Sequence, residues 1–165
     1  MSEQATAPGG PRVEQGRSSR WWRRLWWSAG LFAVASAVHA IDHLRRGQGT
    51  VSDALLAAGN LSLVLQVAVV TLVLVRHRSA PLVAAAAGPS LALGFAAAHW
   101  LPTWSDLSDP VWEIDGLRWL SATTSAAEIV TAALLGAVGL GTWRREATGS
   151  ANLARSPAAA GSEPA

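Results

Sequence analysis

A few ionisable side chains lie inside long apolar segments of this chain, where lipid or a protein core makes them costly. His39, Asp42 and His43 are three and four residues apart in the stretch HAIDHLRR, so one helical turn would bring them together. His99 and Glu128 lie in two later apolar segments. These five residues are the candidate site, and their types indicate several kinds of chemistry.

Metal binding is the first interpretation. His39 and His43 can chelate one ion from a single helix, and His99 could add a third nitrogen. Asp42 and Glu128 could ligate the same ion or orient an imidazole. Imidazole and carboxylate donors without thiolate suit Zn, Cu(II) or non-haem Fe, and the sequence does not choose among these metals.

Two further interpretations use the same residues. His39 and His99, on different segments, could bind a b-type haem as axial ligands. A histidine together with Glu128 could instead move protons or polarise a small lipophilic ligand, which makes Glu128 a candidate proton carrier. The cofactor therefore stays unknown at this point, between a transition metal, a b-type haem and none.

A purely structural interpretation is the alternative. Asp42 and His43 could form the interfacial end of a helix. Asp42 would then pair with Arg45 or Arg46 one turn on. Interhelical polar contacts are common in membrane bundles, and Asn60 and Gln66 could make them. The chain would then be a non-catalytic membrane protein whose polar residues serve only helix packing or partner recruitment.

Four apolar segments must position the candidate site. They cover about 22–44, 54–75, 80–101 and 117–143. Each is close to the roughly 20 residues that a helix needs to cross a hydrocarbon core. The sequence therefore predicts an all-α integral membrane protein, built as an antiparallel bundle of four transmembrane helices. The lipid bilayer is then its first partner.

The two ends of the chain differ from its centre. Residues 1–20 and 146–165 are rich in Gly, Ser, Pro and charge, and they show no apolar period. Such composition predicts disordered tails on either side of a membrane domain at 21–145. A cleaved export signal after Ala40 is the weaker alternative, because three more spans follow it.

Arginine predicts the orientation of the spans. With both termini in the cytoplasm, the inner side holds ten arginines, namely Arg12, Arg17, Arg20, Arg23, Arg24, Arg76, Arg78, Arg144, Arg145 and Arg155. The outer side holds Arg45, Arg46 and Arg118. The positive-inside rule therefore predicts cytoplasmic termini. A composition with arginine as its only basic residue besides histidine, and rich in alanine, favours a bacterial cytoplasmic membrane.

With this orientation, the polar residues are predicted to lie at a similar depth in the membrane. His39 and His99 lie near the outer ends of the first and third spans, and Glu128 lies about 15 Å below the outer start of the fourth. The fourth span also carries a polar stripe at helical spacing, formed by Ser121, Thr124, Ser125 and Glu128. Such a stripe should face the bundle interior, so the site is predicted in the outer half of the bundle.

Composition excludes other classes of site and partner. The chain has no cysteine, which excludes disulfides, thiolate ligands and covalent c-type haem attachment. A net charge of +2 is too small to indicate nucleic-acid binding. Small residues such as Gly136 and Gly139 permit close helix contact, either inside the bundle or with a second copy or another membrane protein.

Overall fold

The computed structural model describes residues 11–47 and 51–155, with side chains from 20–47 and 51–151. These residues form α1 (Pro11–Arg46), α2 (Asp53–Leu74), α3 (Ala80–Trp100) and α4 (Arg118–Arg155), with a short 3-10 helix (Val111–Glu113) before α4. Each of the four long helices contains a stretch long and apolar enough to cross a membrane. No strand occurs in the described ranges. The predicted all-α membrane bundle is confirmed.

The first and last helices, α1 and α4, extend further than their composition predicts. α1 begins at Pro11 and α4 ends at Arg155, inside the segments predicted as tails. Once a helix exists, each added residue gains one backbone hydrogen bond, and Pro is well suited to the first helical position. The remaining parts of the predicted tails, 1–10 and 156–165, lie outside the described residues.

α4 is the central packing element of the bundle. It packs extensively against α1 and α3, whereas α2 makes smaller contacts with α1 and α3. Glycines allow the closest approach: a Cβ atom on Gly88 would lie 2.5 Å from the backbone nitrogen of Gly136. A Cβ atom on Gly139 would lie 2.8 Å from the backbone nitrogen of Ala85. These small residues therefore serve packing between α3 and α4.

The apolar core and the lipid-facing surface use the same residue types. Leu25 and Phe32 of α1, Val69 of α2 and Leu135 of α4 are fully buried. Many other large apolar side chains are exposed, and Leu93 is 72% exposed. A soluble bundle of this size would cover such side chains, so their exposure fits lipid as the solvent.

Most of the buried polar residues gather at one end of the bundle, where α1 and α3 end and α4 begins. The predicted stripe of α4 is buried, since Ser121, Thr124, Ser125 and Glu128 are all at most 6% exposed. The prediction that this stripe faces the bundle interior is confirmed. We call this part of the molecule the histidine end.

Candidate metal centre

Three imidazole rings converge at the histidine end. His39 and His43 come from adjacent turns of α1, and His99 comes from the last turn of α3. The Nε2 atom of His39 lies 3.1 Å from Nε2 of His43 and 3.2 Å from Nε2 of His99. One ligand atom from each residue fits within 4.8 Å of the other two. His39 and His99 are buried, and His43 is partly buried.

α4 fixes the orientation of the His39 ring. The Thr124 hydroxyl donates to the backbone carbonyl of Ser121 at 3.2 Å. Its oxygen can therefore accept a hydrogen bond from Nδ1 of His39, which lies 3.3 Å away. With the hydrogen on Nδ1, the lone pair of a neutral His39 ring is on Nε2, at the centre of the cluster.

The loop between α3 and α4 fixes His99 in the same way. Nδ1 of His99 lies 3.1 Å from the backbone carbonyl oxygen of Asp109, and a carbonyl oxygen can only accept. The hydrogen of a neutral His99 ring is therefore on Nδ1 and its lone pair is on Nε2. Two nitrogen lone pairs then face each other 3.2 Å apart, an arrangement that a shared cation would stabilise.

His43 has the opposite tautomer as it stands. Its Nδ1 accepts a hydrogen bond from the Arg46 guanidinium at 2.8 Å, so its ring hydrogen is on Nε2 and points to His39. His43 can donate its own lone pair at Nε2 only if Arg46 releases Nδ1. Arg46 is therefore placed to compete with a bound cation for His43.

Asp109 anchors Arg46 above the cluster. The guanidinium donates to both carboxylate oxygens of Asp109, with NH1 to Oδ1 at 3.1 Å. Burial alone would raise the pKa of the Asp109 carboxyl group, but the hydrogen bond and positive charge of Arg46 outweigh it and hold this pKa below its usual value. Asp109 is therefore ionised at neutral pH and neutralises a guanidinium that is almost fully buried.

Glu128 of α4 lies beside the imidazole of His39. Its Oε2 atom is 3.8 Å from Nε2 of His39. The same atom is buried and has no hydrogen-bond partner among the described residues. A buried carboxylate oxygen without a donor is costly, so this atom is available for a cation or a proton.

Asp42 does not join the imidazoles, although its spacing suggested that it could. Its carboxylate accepts hydrogen bonds from Arg45 at 2.8 Å and from the Ser121 hydroxyl at 2.5 Å. Successive helix residues are about 100° apart around the axis, so Asp42 is rotated away from His43 toward α4. It connects α1 to α4, and its pairing with Arg45 matches the structural interpretation.

Neither Asn60 nor Gln66 forms the predicted interhelical hydrogen bond to another described residue. Asn60 is exposed, whereas the Gln66 side chain is buried and its Nε2 donates within α2 to Ser62 at 3.4 Å. Its Oε1 has no hydrogen-bond partner among the described residues.

Two residues of the site, Asp109 and Arg46, are not among the five candidates that the sequence indicates. There Arg46 enters as a partner of Asp42 and as one of three outer arginines. No spacing rule connects Asp109 to Arg46 or His99, because the loop that carries it has no periodic pattern.

The fold and these contacts define the class of the molecule: a multi-pass membrane protein with a buried histidine cluster that could hold a metal ion. Comparison of the chain with protein-family models, with curated proteins and with solved structures finds no match.

Proposed function

We propose that this chain is a membrane-embedded metal-binding protein. The ion would be a divalent first-row transition metal held by the Nε2 atoms of His39, His43 and His99. The observation that carries the proposal is the convergence of these three nitrogens. In addition, Nδ1 of His39 contacts the Thr124 hydroxyl and Nδ1 of His99 contacts the Asp109 carbonyl oxygen. Such partners fix the tautomer that a metal-ligating histidine needs.

The distances support a compact tetrahedral site. Metal–nitrogen bonds of about 2.0–2.1 Å place two tetrahedral nitrogens about 3.3–3.4 Å apart. The separations of 3.1 Å and 3.2 Å from Nε2 of His39 to the other two imidazoles need only small adjustments to reach that value, and the three nitrogens as a set lie within 4.8 Å. Three nitrogen donors and one oxygen donor are typical of Zn²⁺, and Cu²⁺ or Fe²⁺ would also accept them.

Glu128 is the candidate fourth ligand. Its unpartnered Oε2 is 3.8 Å from Nε2 of His39, so a small side-chain movement would bring it to the ion. A carboxylate would also lower the net charge of the metal site, which favours its burial among apolar helices. The role of Glu128 as a proton carrier would apply to the metal-free protein.

The geometry favours a single ion over a b-type haem. Axial imidazoles bind iron from opposite sides, which puts their nitrogens about 4 Å apart with the porphyrin between the rings. The rings of His39 and His99 instead meet edge to face, with centroids 4.9 Å apart. His43 contacts both of them, with its centroid 4.7 Å from that of His39. A macrocycle would have to separate all three rings.

Metal titration of the purified protein tests the proposal. We expect one high-affinity Zn²⁺ per chain, measured by competition with a chromophoric chelator. His39→Ala should weaken Zn²⁺ binding more than about 100-fold, because loss of a residue that only hydrogen-bonds to a metal ligand already costs about 10- to 100-fold. Thr124→Val, which removes such a partner, should fall in that smaller range. Absorbance of the same sample would report a haem.

His77 supplies the matched control. It is an exposed histidine in the turn between α2 and α3, at the opposite end of the bundle. His77→Ala should leave Zn²⁺ affinity unchanged. The proposal is wrong if the wild-type protein binds no metal ion tightly, or if His39→Ala and His77→Ala bind equally well. The polar cluster would then serve helix packing alone.

We also propose that both termini face the cytoplasm of a bacterium, which places the histidine end at the outer side of the membrane. The ten arginines on the terminal side support this orientation. A reporter fused after Arg145 should read cytoplasmic, and one inserted beside Asp106 should read exoplasmic. The reverse pattern would put the metal site on the inner side.

A further inference from the structure

Two arginines from different helices lie against one indole ring, at the end of the bundle opposite the histidine end. The guanidinium carbon of Arg24, on α1, lies 4.6 Å from the centroid of the Trp21 ring. The guanidinium carbon of Arg145, on α4, lies 4.3 Å from the centroid of that ring. The face of an aromatic ring attracts a positive charge, so Trp21 holds both side chains beside it. We call Arg24 and Arg145 the arginine pair.

The Trp21 ring is itself positioned by α4. It is half-buried, and a Cβ atom on Gly141 would lie 3.5 Å from its Cζ3 atom. The ring therefore packs against α4 at a residue that has no side chain. Arg145 is four residues after Gly141, about one helical turn further along α4, which brings it to the ring that Arg24 approaches from α1.

The arginine pair has no acidic partner among the described side chains. Every ion pair that these side chains form lies at the histidine end. Glu146, the residue after Arg145, accepts a hydrogen bond from Nε1 of Trp22 at 2.8 Å instead. Two positive charges beside one ring repel each other, and an anion that contacts both would offset this repulsion.

The N–H groups of the arginine pair are available for such an anion. The contacts with the Trp21 ring involve its aromatic face, and no described acceptor atom takes an N–H group of either arginine. Guanidinium groups pair well with phosphate oxygens, because their N–H groups match the spacing of those oxygens. The positive-inside rule explains why arginines gather at this end, but it does not explain why two helices place theirs on one ring.

The position of the pair in the membrane favours a phosphate that belongs to a lipid. The uncharged stretch of α1 begins at Leu25, directly after Arg24, so this guanidinium lies at the depth of lipid headgroups. Trp27, Leu31 and Val34 follow three, seven and ten residues after Arg24, on the same face of the helix. All three are more than half exposed. Acyl chains below a headgroup at the arginine pair would lie along these side chains.

We propose that the arginine pair binds the headgroup of an anionic phospholipid. The phosphodiester accepts hydrogen bonds from both guanidinium groups, and the acyl chains extend along Trp27, Leu31 and Val34. The site is at the opposite end of the bundle from the histidines, so it does not depend on the proposed metal binding.

A matched pair of lipids tests the charge of the headgroup. Dioleoylphosphatidylglycerol and dioleoylphosphatidylcholine have the same acyl chains, but only the first carries a net negative charge. The rise in thermal unfolding midpoint of the purified protein in dodecyl maltoside, measured against lipid mole fraction at constant ionic strength, gives the affinity for each lipid. Phosphatidylglycerol should bind about 25-fold more tightly, because each arginine near an anionic lipid contributes about fivefold.

Two double variants that remove the same charge assign this preference to a site. Arg24→Gln with Arg145→Gln should reduce the ratio of the two affinities to about one. Arg23→Gln with Arg144→Gln is the control, because each of these arginines is one residue away on the same helix and contacts no described aromatic ring. The control should keep most of the preference. All four arginines are exposed, so both variants should fold.

Glycerophosphoglycerol, the headgroup of phosphatidylglycerol without its acyl chains, separates a lipid from a soluble phosphodiester. It should give no rise in the unfolding midpoint. A rise equal to that given by phosphatidylglycerol would overturn the proposal, because the site would then bind a soluble anion.

Two other results would also overturn the proposal. Equal binding of the two lipids by the wild-type protein would mean that the charge of the headgroup is not recognised. An equal loss of the preference in both double variants would mean that the arginines act only as a diffuse positive surface.

Discussion

The two halves of α4 contact their neighbours through different chemistry. In the half that begins at Ser121, hydroxyl groups and Glu128 face α1 and its histidines. In the half around Gly136 and Gly139, the helix backbone lies close against α3, where it meets the ring of Pro89 and the backbone of Ala85. One helix therefore holds a polar site in one half and a close glycine contact with α3 in the other.

The two halves of α4 differ in what they contribute to helix packing. Hydrophobic burial gives helices in lipid little reason to associate, so close contact between small residues supplies much of their attraction. The α3–α4 glycine contacts meet that need without the histidine end. The buried hydroxyls, imidazoles and carboxylates at the other end are costly, which favours a role beyond packing.

Removal of Arg46 should give the largest change in stability. Its side chain is 7% exposed and bridges Asp109 and His43. Arg46→Met leaves a buried carboxylate at Asp109 without its partner, which should cost about 3 kcal/mol of unfolding free energy. Arg45→Met is the control: Arg45 is 36% exposed, and its partner Asp42 keeps the Ser121 hydroxyl, so the loss should be smaller.

The same variant separates stability from metal binding. Arg46→Met frees Nδ1 of His43 and removes a positive charge beside the proposed ion. Zn²⁺ affinity should therefore stay equal or rise while stability falls. Unfolding in mixed micelles and chelator competition measure the two quantities on one sample. A parallel loss of both would mean that Arg46 supports the metal site.

The glycine contact between α3 and α4 is tested at Gly88. A Cβ atom there would meet backbone atoms of Gly136 at 2.5 Å, and backbone cannot move as a flexible side chain can. Gly88→Ala should therefore cost about 2 kcal/mol, in the range of overpacked cores. Gly94→Ala on the same helix meets nothing within 4 Å and should be neutral or slightly stabilising. Equal effects of the two variants would show that the glycine contact does not hold α3 to α4.

Sequence alone was sufficient for the spans and for most of the histidine end. Apolar segment length predicts four membrane helices, and these four are found. The i, i+4 spacing of His39 and His43, together with the depth of His99 in its own span, predicts that the rings meet. Helical periodicity fixes these positions before any contact is known.

The other contacts of the bundle depend on backbone geometry that helical periodicity does not encode. Asp106, Asp109, Glu113 and Asp115 are four acids of one loop, and only the path of that loop decides which of them reaches Arg46. Asp42 shares a helical turn with the histidines, but its direction depends on where α4 lies. The contact of Arg24 and Arg145 with one Trp21 ring likewise follows from how closely two helices approach.

The smallest expected effect is the coupling between the histidine end and the α3–α4 glycine contact, and a double variant measures it. Gly88 lies twelve residues before the end of α3, about 18 Å along its axis from the histidine end. Substitutions that far apart, with no shared partner, should add to within about 0.5 kcal/mol. The double variant Arg46→Met with Gly88→Ala should therefore lose the sum of the two single losses in the mixed-micelle unfolding assay. A coupling well above that value would mean that the α3–α4 glycine contact transmits strain to His99 at the end of the same helix. The bundle would then act as one unit, and metal affinity should fall in Gly88→Ala as well, because His99 would no longer be held at the distance that the other two imidazoles require.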